Sequence, residues 1–372
     1  MKRIAFTGDL GFSSKYFKGT YDKENLLDEE IVSFLSDSDY TVVNVEGSVT
    51  AGKAEAVKPI AHANPPECLP FLKKINGNIW ALANNHIADC GRKGLSDTLE
   101  IAKKNGVLTV GAGLDANEAE APVIIENDGA DIGIISLTHE DTTPKATKDG
   151  YGSPMWDDDE TVSRMIKNVK EKCRWCIVVV HSGPEFCFLM PPAVRKQYKK
   201  YLEFGADIVI GHHPHVVDNY EKIGDKIIFY SIGNFVFDTD YQRLQRHTDC
   251  GVLVKFYFDG DKFTWEHIAM KIDRETMTIH KEETPVIFTN ISAGQYSLLW
   301  PLAMRHLYLD ERAKWEYIYP GYKDYSLLKR FLFYRKHGKV SARNTGIISG
   351  TIMYYLNLWR LGDKKLIDYI RN

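Results

Sequence analysis

Long uninterrupted apolar runs are missing from this 372-residue chain. The most hydrophobic late stretch, Gly346 to Leu361, is broken by Ser349, Thr351, Asn357 and Arg360. It is too short and too polar to span a bilayer. The chain starts Met1-Lys2-Arg3, yet Asp9 arrives before an apolar segment of signal-peptide length can form. The six cysteines, at 68, 90, 173, 176, 187 and 250, lack the dense spacing of a secreted disulfide scaffold. Cys173 and Cys176 have no second Cys-x-x-Cys to complete a zinc site and read as a helix end entering a buried strand. There is no internal repeat and no low-complexity segment. Charge of one sign is not in excess: 47 Lys and Arg face 50 Asp and Glu, a net charge of -3, so the whole molecule carries no polyanion-binding signature.

What is present is ordinary globular composition, 44% hydrophobic and 26% charged, enough to bury a large core. Short β-type runs alternate with helical spacings. Strands are expected at Lys2–Thr7, Tyr40–Val45, Ile79–Ala83, Leu108–Val110, Trp175–Val180, Ala206–Ile210 and Lys226–Tyr230. Helices are expected at Leu26–Leu35, 66–76, Leu95–Lys104, Thr161–Lys172 and Pro192–Phe204. Asp128-Gly129 and Asp259-Gly260 mark hairpins. Crossovers followed by hairpins predict a layered α/β fold with a mixed sheet or two packed sheets.

One event recurs along the chain. An apolar strand ends and a polar ligand-type residue follows, at Asp9, Glu46, Asn85/His86, His181 and His212/His213/His215. Ligand sites in open α/β sheets gather beyond the carboxyl ends of strands, so sequence-distant segments can converge there. Singly, each residue has a structural alternative: a helix cap, a turn residue, a satisfied core histidine. Together they point to a metal centre. Mixed oxygen and imidazole donors suit one or two divalent transition ions (Mn, Fe or Zn) better than calcium.

The segments around these residues resemble the CapA-type family, poly-γ-glutamate capsule biosynthesis proteins within the calcineurin-like metallophosphoesterase superfamily. The matching stretches are Gly8-Asp9, Asn44-Val45-Glu46-Gly47, Ala83 to Gly91, Gly111-Ala112-Gly113, His181 to Phe186, Gly205 to Val216 and Tyr230 to Phe235. The resemblance implies a four-layer α-β-β-α sandwich over residues 1–290, with a helical, basic-aromatic extension over 291–372. It implies Asp9, Glu46, Asn85, His181, His213 and His215 as metal ligands. Asp9, Glu46 and His86 become catalytic, with His86 the general acid. Asn44, Asp89, Glu185, His212 and Asn234 become supporting or substrate-facing residues, and His212 competes with His213 for one ligand place. The superfamily's opening Asp-x-His reads Asp9-Leu10-Gly11 here, so one imidazole is missing.

The implied activity is metal-dependent hydrolysis of a phosphoester, or of an anionic capsule or poly-γ-glutamate-type precursor. The same ligand set also suits an epimerase working by acid–base proton exchange, or a non-catalytic subunit that binds the polymer or a capsule-synthesis partner protein. Residues 323–372 carry eleven Lys and Arg against three Asp and Glu, interleaved with aromatics, and helices are expected at Leu327–Tyr334 and Ile347–Leu361. That surface is a candidate for peripheral contact with the inner membrane face of an otherwise cytoplasmic protein. No nucleic-acid-binding motif accompanies the charge.

Overall fold

Alternation of apolar residues fixes the layers. In the strand Trp175–His181, Trp175, Ile177 and Val179 join one buried cluster, and Cys176, Val178 and Val180 join another. A strand that is apolar on both faces must be covered on both sides. The computed structural model, described for residues 1–52, 61–300, 303, 365, 366 and 369, meets that requirement with two sheets packed face to face and helices outside each.

The first sheet runs Thr278–Glu282, Lys262–Asp273, Cys250–Asp259, Lys2–Leu10, Tyr40–Val45, Ile79–Ala81 and Leu108–Val110, with Asn234–Val236 also pairing the Lys2–Leu10 strand. The second runs Tyr220–Ile223, Lys226–Phe229, Ile208–His212, Trp175–His181, Ile132–Thr138 and Val123–Ile125. The central strands of each sheet are parallel, and the edges reached through hairpins are antiparallel. Ile4, Phe6, Val42 and Ile79 of one sheet meet Ile134, Ile177, Ile208 and Phe229 of the other in the central core. Fully burying such side chains stabilises by about 1.5–3 kcal/mol each.

The helices Glu29–Ser36, Leu69–Lys74 and Gly91–Lys104 cover the outer face of the first sheet. Asp159–Lys170 and Pro192–Phe204 cover the second. Asp158 caps the former, accepting from Thr161 N at 3.2 Å, and Pro192 starts the latter, where its missing N–H costs nothing. The four-layer expectation therefore holds.

Boundaries shift by a few residues. Leu26 and Leu27 are not helical; Leu27 bridges Ile279. The helix expected from Leu95 begins at Gly91. Three strands end later than expected, so Asp9, His181 and His212 lie within strands, while those expected at Ile79–Ala83 and Lys226–Tyr230 end earlier, at Ala81 and Phe229; Glu46, Asn85, His86, His213 and His215 are on loops. Residues 293–300 are helical, and Ile291, Leu299, Ala303 and Leu366 join the central core. The helices expected at Leu327–Tyr334 and Ile347–Leu361 lie outside the described residues. Among the described residues, no helix is long and apolar enough to cross a membrane.

Candidate metal centre

The carboxyl ends of the two sets of parallel strands meet at one edge of the sandwich. Asp9, Glu46, Asn85 and His86 arrive from the first sheet, and His181, His212, His213 and His215 from the second. Two glycines make the close approaches possible. A Cβ on Gly8 would lie 2.2 Å from Gly233 O, and one on Gly211 would lie 2.1 Å from Tyr230 O. No side chain fits at either place, which is why Asp9 and His212 each follow a glycine.

Asp9 is fully buried and saturated with donors. Its Oδ1 accepts from Asn44 Nδ2 at 2.7 Å and His212 Nδ1 at 3.0 Å; its Oδ2 accepts from His213 N at 3.3 Å and lies 3.1 Å from His215 Nδ1. Burial alone pushes its carboxyl up, but the hydrogen bonds from His212 and His215 outweigh burial and hold it well below the usual carboxylate range.

Glu46 is equally buried and is the opposite case. Neither carboxylate oxygen has a hydrogen-bond partner among the described residues. His215 Nε2 lies 3.7 Å and His86 Nε2 3.9 Å from Oε1. Burial pushes this carboxyl up, against the pull of His215. An open, desolvated carboxylate of this kind is costly unless something charged completes it.

His181 is sealed from solvent, with Nε2 2.9 Å from Asn85 Oδ1 and Nδ1 3.2 Å from Asn44 Nδ2. Burial lowers its pKa well below the ordinary histidine value, so it is neutral and can offer a lone pair. His215 Nδ1 also lies 3.0 Å from Asn234 Oδ1, and its ring stacks on Phe237 at 5.0 Å. Burial opposes its protonation, but Glu46 and Asp9 raise it. His86 Nδ1 contacts Asp89 Oδ2 at 2.6 Å. His213 and His215 both have left-handed backbone, φ 93° and 58°, on either side of Pro214.

The arrangement suits a cation. Ligand atoms of Asp9, Glu46 and His181 lie within 4.8 Å of one another, as do those of Glu46, His62 and His86. Two carboxylates with imidazoles are the donor chemistry of a divalent transition ion, and the open Glu46 is the group that needs one.

Every site residue expected from sequence is near this edge, with differences in detail. His212 and His213, the two candidates for one ligand place, sit differently: the His212 ring contacts Asp9, and the His213 ring packs at 4.9 Å from His181. Asn44, Asp89 and Asn234 contact Asp9, His86 and His215 respectively, and Glu185 bears electrostatically on Glu46 and His215.

Two further histidines join them. His139 follows the Ile132–Thr138 strand and packs 4.4 Å from His213. It obeys the same strand-end pattern and was findable by it. His62 sits edge-on to His86 at 4.3 Å, and no local signal marks it, because it follows no apolar strand.

Residues 3–239 match the family described as bacterial capsule synthesis protein PGA_cap. The chain belongs to that family. It is 32% identical over 244 residues to the PGA biosynthesis protein CapA of Bacillus subtilis (strain 168), covering 64% of each chain. It is 31% identical over 218 residues to the capsule biosynthesis protein CapA of Bacillus anthracis, covering 56% of this chain and 53% of that one. The chain thus matches between about half and two thirds of these relatives' length. Among solved structures, the NAD nucleotidase of Haemophilus influenzae is similar at a TM-score of 0.43 and 13% identity, covering 80% of this chain and 54% of that one. The PGA_cap match spans all of the residues gathered at the sheet edge.

Proposed function

We propose that this PGA_cap protein is a metal-dependent hydrolase acting on a phosphoester or on an anionic precursor of a capsule or poly-γ-glutamate-type polymer. The observation that carries the reading is Glu46: a fully buried carboxylate with no hydrogen-bond partner among the described residues, beside the imidazoles of His86 and His215. Asp9, Glu46, Asn85, His181, His213 and His215 would hold the ion, a divalent Mn, Fe or Zn. Such a cation activates water near neutral pH and offsets charge on a phosphoryl or carbonyl oxygen.

The chain's own residues supply the rest. Asp9 would be one of the groups that hold the ion, and the hydrogen bonds from Asn44 Nδ2 and His213 N orient its carboxylate. Asp89 accepts a hydrogen bond from His86 Nδ1 and leaves Nε2 facing Glu46; with a proton on both ring nitrogens, Nε2–H would be the one given to a leaving oxygen. The PGA_cap match over residues 3–239 supports a role in capsule synthesis; we propose a capsule-synthesis protein as its partner, action on the cytoplasmic side, and the basic, aromatic segment 323–372 for peripheral contact with the membrane.

The test is turnover by the full chain, loaded with manganese, of phosphomonoesters, phosphodiesters and γ-glutamyl oligomers. Release of phosphate, alcohol or glutamate that stops with chelator supports the reading. Solvent deuterium entering a substrate α-carbon without cleavage would replace hydrolysis by epimerisation.

A further inference from the structure

His62 lies outside every recognised motif, yet it is buried at the centre. A ring nitrogen of His62, a ring nitrogen of His86 and a carboxylate oxygen of Glu46 lie within 4.8 Å of one another. Modest side-chain rotation brings donors at that separation to about 2.0–2.2 Å from a single ion.

Both imidazoles are anchored through Nδ1. His86 Nδ1 is 2.6 Å from Asp89 Oδ2, and His62 Nδ1 is 2.5 Å from Ser13 Oγ. The same Asp89 oxygen accepts from His62 N at 2.8 Å, so one carboxylate positions both residues. Anchoring one ring nitrogen and leaving the other for a cation is how proteins orient metal-binding histidines. The third member is the carboxylate with no hydrogen-bond partner among the described residues.

Gly11 adds an independent observation. A Cβ there would meet the Phe237 ring at 2.8 Å, so Phe237 fills the space a side chain at position 11 would need. Two imidazoles pack against that ring, His215 at 5.0 Å and His62 at 5.1 Å, and His62 is the one that comes from outside the strand ends. The donor absent from position 11 is thus offset by one from a different segment.

We infer that Glu46, His62 and His86 form a second cation site, taking a nitrogen-preferring ion such as zinc, whose filling withdraws His86 from proton transfer. It rests on the proposed function through Glu46 and the acid role of His86. Two imidazoles and one carboxylate form a more nitrogen-rich set than the Asp9, Glu46 and His181 group, so the two positions differ in metal preference. Low metal concentration fills the first and activates; higher zinc fills the second and inhibits.

The experiment is equilibrium dialysis of the full chain against zinc, followed by metal counting, with thermal melts to verify folding. The expected result is two ions per wild-type chain, one in His62→Gln and one in His181→Gln. His62→Cys, which restores a donor, recovers the second ion and keeps the test decisive should His62→Gln melt early. Equal counts in wild type and His62→Gln overturn the second site and leave the hydrolase reading standing. A wild-type chain that binds no zinc or manganese overturns both.

Discussion

His86 Nδ1 lies 2.6 Å from Asp89 Oδ2, three residues further along the same turn. The contact fixes the orientation of the His86 ring, so that Nε2 faces Glu46. Asp89→Asn removes the carboxylate while keeping the size. Turnover of bis(p-nitrophenyl) phosphate by the manganese-loaded protein should fall by about 10–100-fold, the usual effect of losing such a partner. The manganese content should stay unchanged. An unaltered rate would mean that the orientation of His86 is irrelevant to the chemistry.

Glu46 is held at a cost that only a bound cation relieves. In chelator-treated protein, Glu46→Gln removes a buried charge and should raise the melting temperature by a few degrees, since about 2–4 °C corresponds to 1 kcal/mol in large domains. Manganese should then stabilise the wild type far more than the variant. Melting curves with chelator and with manganese give both numbers, and a variant less stable than metal-free wild type contradicts the prediction.

Asp218 gives a pH dependence away from the centre. Its carboxylate is fully buried and accepts from Met190 N at 2.8 Å and Asn219 N at 2.6 Å, yet burial pushes it up to about 7 against the pull of Arg195. An unfolded Asp titrates near 3.9. Between those values the folded state keeps a proton that the unfolded state releases, so stability falls as pH rises from about 4 to about 7 and is level above. The full effect is about 4 kcal/mol. Asp218→Asn should abolish this slope. Urea unfolding of both proteins at pH 5 and pH 8 measures it; a difference between them that is the same at both pH values refutes the assignment.

His213 holds a non-glycine residue at φ 93° beside another positive-φ histidine. Such backbone costs about 1–3 kcal/mol and persists where the side chain is needed. His213→Gly should therefore melt higher than wild type without metal and retain manganese less tightly. Unchanged retention on dialysis would leave the strain with no functional return.

Much of this was legible in the sequence because strand periodicity and strand-end polarity are local signals. Val180→His181 and Ile210→His212 could be read from the apolar run alone. The helix at Pro192–Phe204 was marked by its proline at the start and Gly205 after its end. What stayed hidden depends on packing between segments. His62 reaches His86 only because the Asp89 carboxylate draws its backbone in. That Asp9 is saturated and Glu46 open follows from the pairing of Asp9 with Asn44 and Asn234 on its neighbouring strands. The division of work between His212 and His213 turns on a backbone reversal at 213 that composition does not encode. Sequence periodicity also ended some strands too early, since polar Asp9 and His181 continue the ladder.

The centre draws on two sheets whose contributing segments are far apart in the chain, residues 9 to 86 on one side and 181 to 215 on the other. Neither portion alone holds the Asp9, Glu46 and His181 group. Full affinity for an ion at that group can therefore arise only after both sheets have docked. A bound cation would then behave as a cross-link between the two sheets. Slow ion release would make opening of the sandwich slow as well, so the metal would set the protein's lifetime as well as its chemistry.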